Sequence, residues 1–347
     1  MKNERGISRR QFIGTSASIA AGIAISSPIL GSPSIIRNFN KPFSEIKGVR
    51  IGVITYSFRG KPDQSAEATL KYITDCGISQ IELMGGPAES FAGMPEAPFD
   101  RRAMWMAMRP PREGEELTEE QKKERAEIRT QVEAYNKEVA EWRGSVSMDS
   151  FEKMRKMYKD AGVSVYAFKP STFGKNNTDV EIDYGLRAAK ALGATHVTLE
   201  LPGDDNHTAK LAQMAAKHKI YVAYHGHEQQ TPTIWDTALG QSEWNAMNLD
   251  FGHYVAAGNA KPLEVVKMKH DRIKSMHVKD RTTPENQKKN LPFGEGDTPI
   301  VEVLQLMRDQ KYKFPATIEL EYRIPEGSDE IAEIHKCFEY CKKALES

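Results

Sequence analysis

Hydrophobic and polar positions along the chain alternate between two rhythms. Short runs rich in β-branched and aromatic residues, bounded by Gly, Pro or Asp, read as strands. They are VRIGVITYSF (49–58), ISQIELMG (78–85), VSVYAFKPS (163–171), THVTLELPG (195–203), IYVAYHGHE (220–228), NLDFGH (248–253), IKSMHVKD (273–280) and PATIELEY (315–322). Between them, apolar residues at three- and four-residue spacing predict helices over 65–75, 149–161, 180–191, 207–218, 262–269, 298–309 and 328–345. Steps such as Asp160-Ala161-Gly162-Val163 and Ala191-Leu192-Gly193-Ala194 carry the glycine that ends a helix just before the next strand. Strands separated by helices predict parallel pairing, and the common closed form is a (β/α)8 barrel of the α/β class.

One segment breaks the rhythm. Residues 87–147 separate the second strand from its return helix and open on a loop rich in Pro, Met and Gly. The stretch GEELTEEQKKERAEIRTQVEAYNKEVAEWRG follows, and its Glu/Lys/Arg pairing at helical spacing predicts a long exposed helix. The TIM barrel is thus expected over 48–345, with a charged helical insertion at 87–147 on the face where strand two ends. That insertion is a lid, an oligomer contact or a solvated excursion. The run Ala103-Met104-Trp105-Met106-Ala107-Met108 is apolar enough to need a cover. There is no internal repeat and no low-complexity tract.

The N-terminus belongs to a different pattern. Lys2, Arg5, Arg9 and Arg10 face only Glu4, and an uncharged run rich in Ala, Ile, Gly and Ser extends from Phe12 to Leu30. A basic segment followed by an apolar one is the layout of an export signal. Ser8-Arg9-Arg10-Gln11-Phe12-Ile13 resembles the twin-arginine export motif, so residues 1–32 are expected to direct export to the periplasm. The alternative is an uncleaved membrane anchor, which seven Ser, Thr or Gly residues before Pro28 disfavour. Composition narrows the partners. A 39% hydrophobic and 28% charged chain is that of a soluble globular protein, and a formal net charge of zero gives no basic bias toward nucleic acid. The odd count of three cysteines argues against a disulfide framework. Cys337 and Cys341, four apart on a helical segment, are a metal half-site or, on the more ordinary reading, small core residues on one helix face.

Chemistry collects at the strand ends, where barrels of this kind carry their active sites. Strand five ends His225-Gly226-His227-Glu228, strand six carries Asp250 and His253, strand seven ends His277-Val278-Lys279-Asp280, and strand eight holds Glu319 and Glu321. Residues two apart on a strand face one side, so 225/227, 277/279 and 319/321 each place one group deep and one nearer the rim. Buried carboxylates and imidazoles cost free energy unless paired or metal-bound, and four consecutive strands ending this way point to a divalent cation. Mixed N/O ligation favours Mn, Co or Zn over Mg. The glycines of FGEGD (293–297) permit close approach of backbone to a ligand or simply make a turn; without a following GK[ST] the loop is no P-loop.

In this order and spacing IGVITYSF, IELMGG, YHGHE, LDFGHYVAAG, IKSMHVKDR, FGEGD and IELEY resemble the xylose isomerase-like superfamily of TIM barrels, over roughly residues 48–345. That group includes ketose 3-epimerases, inosose dehydratase and sugar phosphate isomerase/epimerase-like proteins. The resemblance implies one metal held by His225, Asp250, His277 and Glu319, with His253 facing the substrate. The epimerases commonly have Glu on strand five, whereas YHGH here is closer to the inosose dehydratase form. Glu200 in place of His225, and Glu321 in place of Glu319, stay open as ligands. The implied chemistry is abstraction of an α-proton from a keto-sugar to give an enediolate, with Glu319 or Glu321 as base and His227 or Glu200 as partner acid. Return of the proton epimerises or isomerises the sugar; loss of a β-leaving group makes the enzyme a lyase. Lys169, Lys279 and Arg281 are candidate rim residues for orienting substrate hydroxyls. A DNA-repair endonuclease of this barrel type carries extra histidines on strands two to four, where this chain has Glu82, Lys169 and Glu200. A non-catalytic sugar-binding module has no need of a metal beside paired carboxylates. The expected partners are a small-molecule sugar and the export machinery, with no nucleic acid, and a homo-oligomer stays open.

Overall fold

A computed structural model describes residues 41–111 and 114–347, so the expected export signal lies outside the described residues. The strands form where the pattern placed them: β1 (Val49–Ile54), β2 (Gln80–Met84), β3 (Ser164–Lys169), β4 (His196–Glu200), β5 (Tyr221–His225), β6 (Asn245–Asp250), β7 (Ile273–Val278) and β8 (Ala316–Ile318). Each pairs in parallel with the next, and β1 pairs with both β2 and β8. The sheet therefore closes on itself as a TIM barrel. A two-residue strand at Glu45–Ile46 folds back antiparallel on β1.

Helices alternate with the strands for reasons visible in the local sequence. Helix α1 (Ala66–Asp75) opens on Ser65, whose hydroxyl accepts from the Ala68 N–H. Two helices fill the start of the interrupted region, α2 (Gly85–Phe91) and α3 (Arg101–Met108), and neither is foreshadowed by the Pro/Met/Gly-rich composition there. The charged stretch forms α4 (Glu119–Ser145), opened by a capping box of Thr118 and Gln121. Next comes α5 (Asp149–Asp160), and α6 (Asp179–Leu192) has a second capping box from Thr178 and Glu181. Gly162 at φ +87° and Gly193 at φ +83° hold the left-handed positions that end α5 and α6. The remaining helices are α7 (Asp205–His218), α8 (Asp236–Gln241), α9 (Phe251–Ala256), α10 (Pro262–Lys269), α11 (Ile300–Asp309) and α12 (Glu330–Glu346).

Seven of the eight strands are shorter than the sequence expectation and the sixth is displaced. The first ends at Ile54 instead of Phe58, where a 3-10 turn begins, and the differences at strands five, six and eight move candidate site residues. The sixth strand was expected over 248–253 but runs over Asn245–Asp250, and His253 lies on α9 instead. The cause is Asp250 itself, whose side chain accepts from the His253 N–H at 2.7 Å and caps that helix. Strand five stops at His225, leaving His227 and Glu228 in the following loop, and strand eight stops at Ile318, just before Glu319.

The apolar core lies between barrel and helices, with Trp235, Tyr158, Phe151 and Phe168 among its fully buried side chains. Cys337 and Cys341 belong to it, both buried on α12, and burial pushes the Cys337 thiol up to about 12. They sit as core residues, not as ligands. Inside the barrel the packing is polar: Tyr166 meets Thr317 at 2.6 Å and His196 meets Ser275 at 2.9 Å. Gly52 admits this arrangement, because a Cβ there would come within 2.7 Å of the Tyr166 hydroxyl. Two ion pairs anchor α4: Arg143, itself buried, donates to Glu89 of α2 at 2.9 Å and to Glu181 of α6 at 3.2 Å. On α3, Ala107 is buried, but Trp105 remains 57% exposed. Among the described residues no helix is long and apolar enough to cross a membrane.

Candidate active site

Parallel register brings four donors to one point at the C-terminal mouth. Asp250 lies opposite His277 across β6 and β7, and Thr317, two residues before Glu319, lies opposite His277 across β8. His225 ends β5. The side chains of His225, Asp250, His277 and Glu319 are all buried, and one ligand atom from each lies within 4.8 Å of all the others. His277 Nδ1 is 3.0 Å from Glu319 Oε2 and 3.8 Å from Asp250 Oδ2, and His225 Nε2 is also 3.8 Å from Asp250 Oδ2. Asp250 Oδ2 is buried and makes no contact of hydrogen-bond geometry, although the Lys279 ammonium lies 3.0 Å from it. Two imidazole nitrogens and two carboxylate oxygens around such an atom fit a divalent cation.

Two residues beneath this set were not anticipated as part of it. Glu82 of β2, fully buried, meets His277 Nε2 at 2.8 Å and accepts from Thr198 at 2.6 Å. Asn248 of β6 takes the His225 Nδ1 proton on its Oδ1 at 2.7 Å, then donates to Glu82 at 3.1 Å and to Ser275 at 2.7 Å. Each imidazole is thereby held by its far nitrogen, with the other nitrogen turned to the cluster, which is how metal-ligating histidines are oriented. Asn248 could have been found by period two from Asp250; Glu82 offered only a lone acid in an apolar strand.

The electrostatics follow from this packing. Burial favours a neutral His277 ring, but Glu82 and Glu319 outweigh it and raise the ring to about 10. Burial likewise opposes charge on Glu82, yet His277 on one side and Lys169 farther off bring it down to about 2. Burial, the His277 charge and Lys169 hold His225 well below the usual histidine value. Against burial, Lys279 and His277 keep Glu319 far below the usual carboxylate range.

Lys279 and Arg281 are not rim residues. Lys279 is 2% exposed, with Nζ at 3.0 Å from Asp250, 2.5 Å from Glu319 and 2.7 Å from Glu321. Arg281, 5% exposed, donates to Glu228 at 2.7 Å, to the Lys288 carbonyl and to His253 Nδ1. Their burial comes from α9: Gly252 lets Lys279 and Arg281 pass so closely that a Cβ there would meet Lys279 Cγ at 2.4 Å. His253 Nε2 is buried without a hydrogen-bond partner, 3.8 Å from Glu321. Burial, then Lys279 and Arg281, lower this ring to about 2.

Glu200, Lys169 and His227 form the open side. Glu200 meets Lys169 at 3.0 Å and His227 at 3.4 Å, and the Glu200 and His227 side chains are half-exposed. Glu200 and His227 also converge with His225 as a second group of potential donors, whereas the fully buried set contains His225 and Glu319 and neither Glu200 nor Glu321.

The FGEGD loop wraps a residue of the chain itself. Asp280 accepts from the N–H groups of Gly294 at 2.7 Å, Gly296 at 3.0 Å and Thr298 at 3.2 Å. Gly296 is required by this contact, since a Cβ would fall 2.2 Å from Asp280 Oδ1. The loop after strand seven is where barrels commonly bind phosphate. Here those N–H groups are already taken by a carboxylate.

Similarity to known proteins agrees with the barrel fold. Nothing among curated proteins matches the chain. Among solved structures it is similar to a sugar phosphate isomerase/epimerase from Parabacteroides distasonis (15% identity, 84% of this chain and 93% of that one, TM-score 0.53). It is also similar to a probable 3-DHS dehydratase from Bacillus anthracis (15% identity, 84% and 98%, TM-score 0.55). A third is a 3-keto-D-glucoside 4-epimerase from E. coli (11% identity, 85% and 99%, TM-score 0.54). At these identities the likeness is one of fold. The sequence profile described as xylose isomerase-like TIM barrel matches residues 130–341, from within α4 to the end of the barrel. With most of the chain matched and the closed eight-stranded barrel in place, the protein belongs to the xylose isomerase-like TIM barrel family.

Proposed function

We propose that the protein is a metal-dependent sugar isomerase or epimerase that enolises an uncharged keto-sugar. The observation that carries this reading is the buried quartet of His225, Asp250, His277 and Glu319, with Glu321 on one side of its opening and Glu200 on the other. A divalent cation held by the quartet would polarise the substrate carbonyl and favour loss of the neighbouring proton. The chain's own groups supply the rest. β4 and β8 stand across the barrel from one another, so Glu200 and Glu321 approach a bound sugar from different sides. Proton removal by Glu321 and return from Glu200, steadied by His227, inverts a carbon; return to the adjacent carbon isomerises the sugar. Lys279 pairs with both Glu319 and Glu321 and so keeps them aimed.

An uncharged substrate follows from the cations at the mouth. Lys169 is paired with Glu200, Lys279 with three carboxylates, and Arg281 and Lys288 with Glu228. The loop N–H groups that could cradle a phosphate hold Asp280. The names of the structural relatives, an isomerase/epimerase, a dehydratase and a keto-glucoside epimerase, support carbonyl-adjacent chemistry on sugar-like compounds. Export is part of the proposal, on the strength of Arg9 and Arg10 ahead of an uncharged run. The test is proton exchange. The mature protein, loaded with Mn²⁺ or treated with EDTA, is incubated in D₂O with keto-sugars and keto-glycosides, and the quenched, metal-stripped mixtures are read by NMR. Metal-dependent deuterium uptake next to the carbonyl is expected, and the product separates epimerase, isomerase and lyase. Tight metal binding without exchange on any of them would refute enolisation.

A further inference from the structure

We infer that Arg281 is a positioning residue that locks His253 in one tautomer and so makes it a hydrogen-bond donor to the substrate. A guanidinium has five N–H donors and no acceptor. Its contact with His253 Nδ1 is therefore possible in one sense only: Arg281 donates and Nδ1 accepts through a bare lone pair. A proton on Nδ1 would set donor against donor. In a neutral ring the remaining proton must then sit on Nε2.

That second nitrogen is the one with nothing to do inside the chain. His253 Nε2 is buried and has no hydrogen-bond partner, and its nearest acid is Glu321 at 3.8 Å, too far for a hydrogen bond. The ring lies 4.6 Å from that of His227 and 6.3 Å from that of His225, which places it beside the metal-ligand cluster. A buried N–H without an acceptor costs free energy unless a ligand supplies one. A sugar oxygen next to the reacting carbon is a group of that chemistry. His253 then acts by donation from a neutral imidazole and takes no proton from the substrate.

Arg281 is itself held so that it cannot turn to the substrate. Its other terminal nitrogen donates to Glu228 at 2.7 Å and to the Lys288 carbonyl, and Lys288 closes on Glu228 at 3.0 Å. The order of support therefore runs from Glu228 to Arg281 to His253. The lock stands on geometry alone, whereas the donor role rests on the enolisation proposed above.

The experiment needs no substrate. Protein labelled with ¹⁵N-histidine and loaded with Zn²⁺ is examined by long-range ¹H–¹⁵N correlation, with His253→Gln identifying the signal among nine histidines. The wild type is expected to show one bare Nδ1 and one protonated Nε2 at neutral pH. Arg281→Met should release the ring into a mixture of tautomers, while Zn²⁺ affinity stays within about twofold because Arg281 touches no ligand side chain of the quartet. Once a turning-over sugar is in hand, Arg281→Met should lower kcat about 10²-fold, the scale of losing one aligned donor, with Arg281→Lys recovering part of it. A proton on Nδ1, or on both nitrogens, in the wild type would overturn the lock even if the variants fail to fold. So would an unchanged tautomer in Arg281→Met. If the tautomer is as expected but no keto-sugar exchanges deuterium, the enolisation reading fails and the lock stands.

Discussion

Glu319 joins two tasks in one side chain. It shares His277 and Lys279 as partners and belongs to the buried quartet, so neutralising it removes a ligand and leaves the Lys279 charge under-compensated. Glu319→Gln is expected to weaken metal binding and to lower deuterium exchange by about 10²–10⁴-fold, whereas Glu321→Gln should lower exchange with metal affinity retained. Calorimetric metal titration beside the exchange assay separates the two. The histidines also set a pH optimum for the metal-free protein. Below the usual histidine value near 6.5 the unfolded chain protonates residues that the fold keeps neutral: His225, His196 near 4 and His253 near 2. Stability therefore rises with pH up to about 6.5, where the unfolded state stops binding the extra protons. Above that, the raised His277 is the group that matters. Its contribution is complete below 6.5 and is lost as pH climbs through about 10. The melting temperature of EDTA-treated protein should peak near pH 6.5, and a monotonic rise to pH 9 would contradict the His277–Glu82 pairing. Because a metal must displace the His277 proton, metal affinity should increase over the same alkaline range.

Between residue and whole, the elements show why some side chains are where they are. The FGEGD loop exists in its observed form because Asp280 gathers three of its N–H groups. Gly296→Ala pushes a methyl into that carboxylate and is expected to destabilise the fold by about 1–3 kcal/mol. The loss should appear in urea unfolding and as faster hydrogen exchange confined first to residues 293–298. Helix α4 depends on Arg143 in a comparable way. Arg143→Ala leaves Glu89 and Glu181 buried without their cation, and removal of one partner from a buried pair costs about 3–5 kcal/mol. Early exchange in α4 with the β-strands still protected is the expected signature. Both elements were legible only in part. The helix-ending glycines are short-range signals and appeared where they were read, whereas the two capping boxes, equally local, emerged only with the structure. Helices α2, α3, α8 and α9 are short, and α9 owes its start to one side-chain cap at Asp250, which a strand-like LDFGH pattern concealed.

For the molecule as a whole, the proposed function ties the stability of the fold to a metal. A cation that binds the quartet only in the native state stabilises it by about 2.7 kcal/mol at a free concentration a hundredfold above its Kd. Adding EDTA should therefore lower the melting temperature, and restoring metal should return it in a concentration-dependent way. At the other end of the chain, replacing Arg9 and Arg10 by Lys is expected to retain the precursor in the cytoplasm, measured by fractionation of cells expressing either form. The primary sequence by itself determined the repeating strand–helix order, hence the barrel, and the pool of candidate donors, because period and residue type are local properties that survive in a linear string. Burial, and so the tertiary structure, set His225 and Glu319 apart from Glu200 and Glu321. It also determined that His225, Asp250, His277 and Glu319 end neighbouring strands. The tertiary structure alone decided which groups meet. Closure set β8 beside β1 and brought Glu82, distant in sequence, onto His277; α9 drew Lys279 and Arg281 inward from the rim; and the strand-seven loop closed on Asp280 rather than on a ligand. Each of these is a contact between residues far apart along the chain, where distance and direction depend on packing and no local pattern records them.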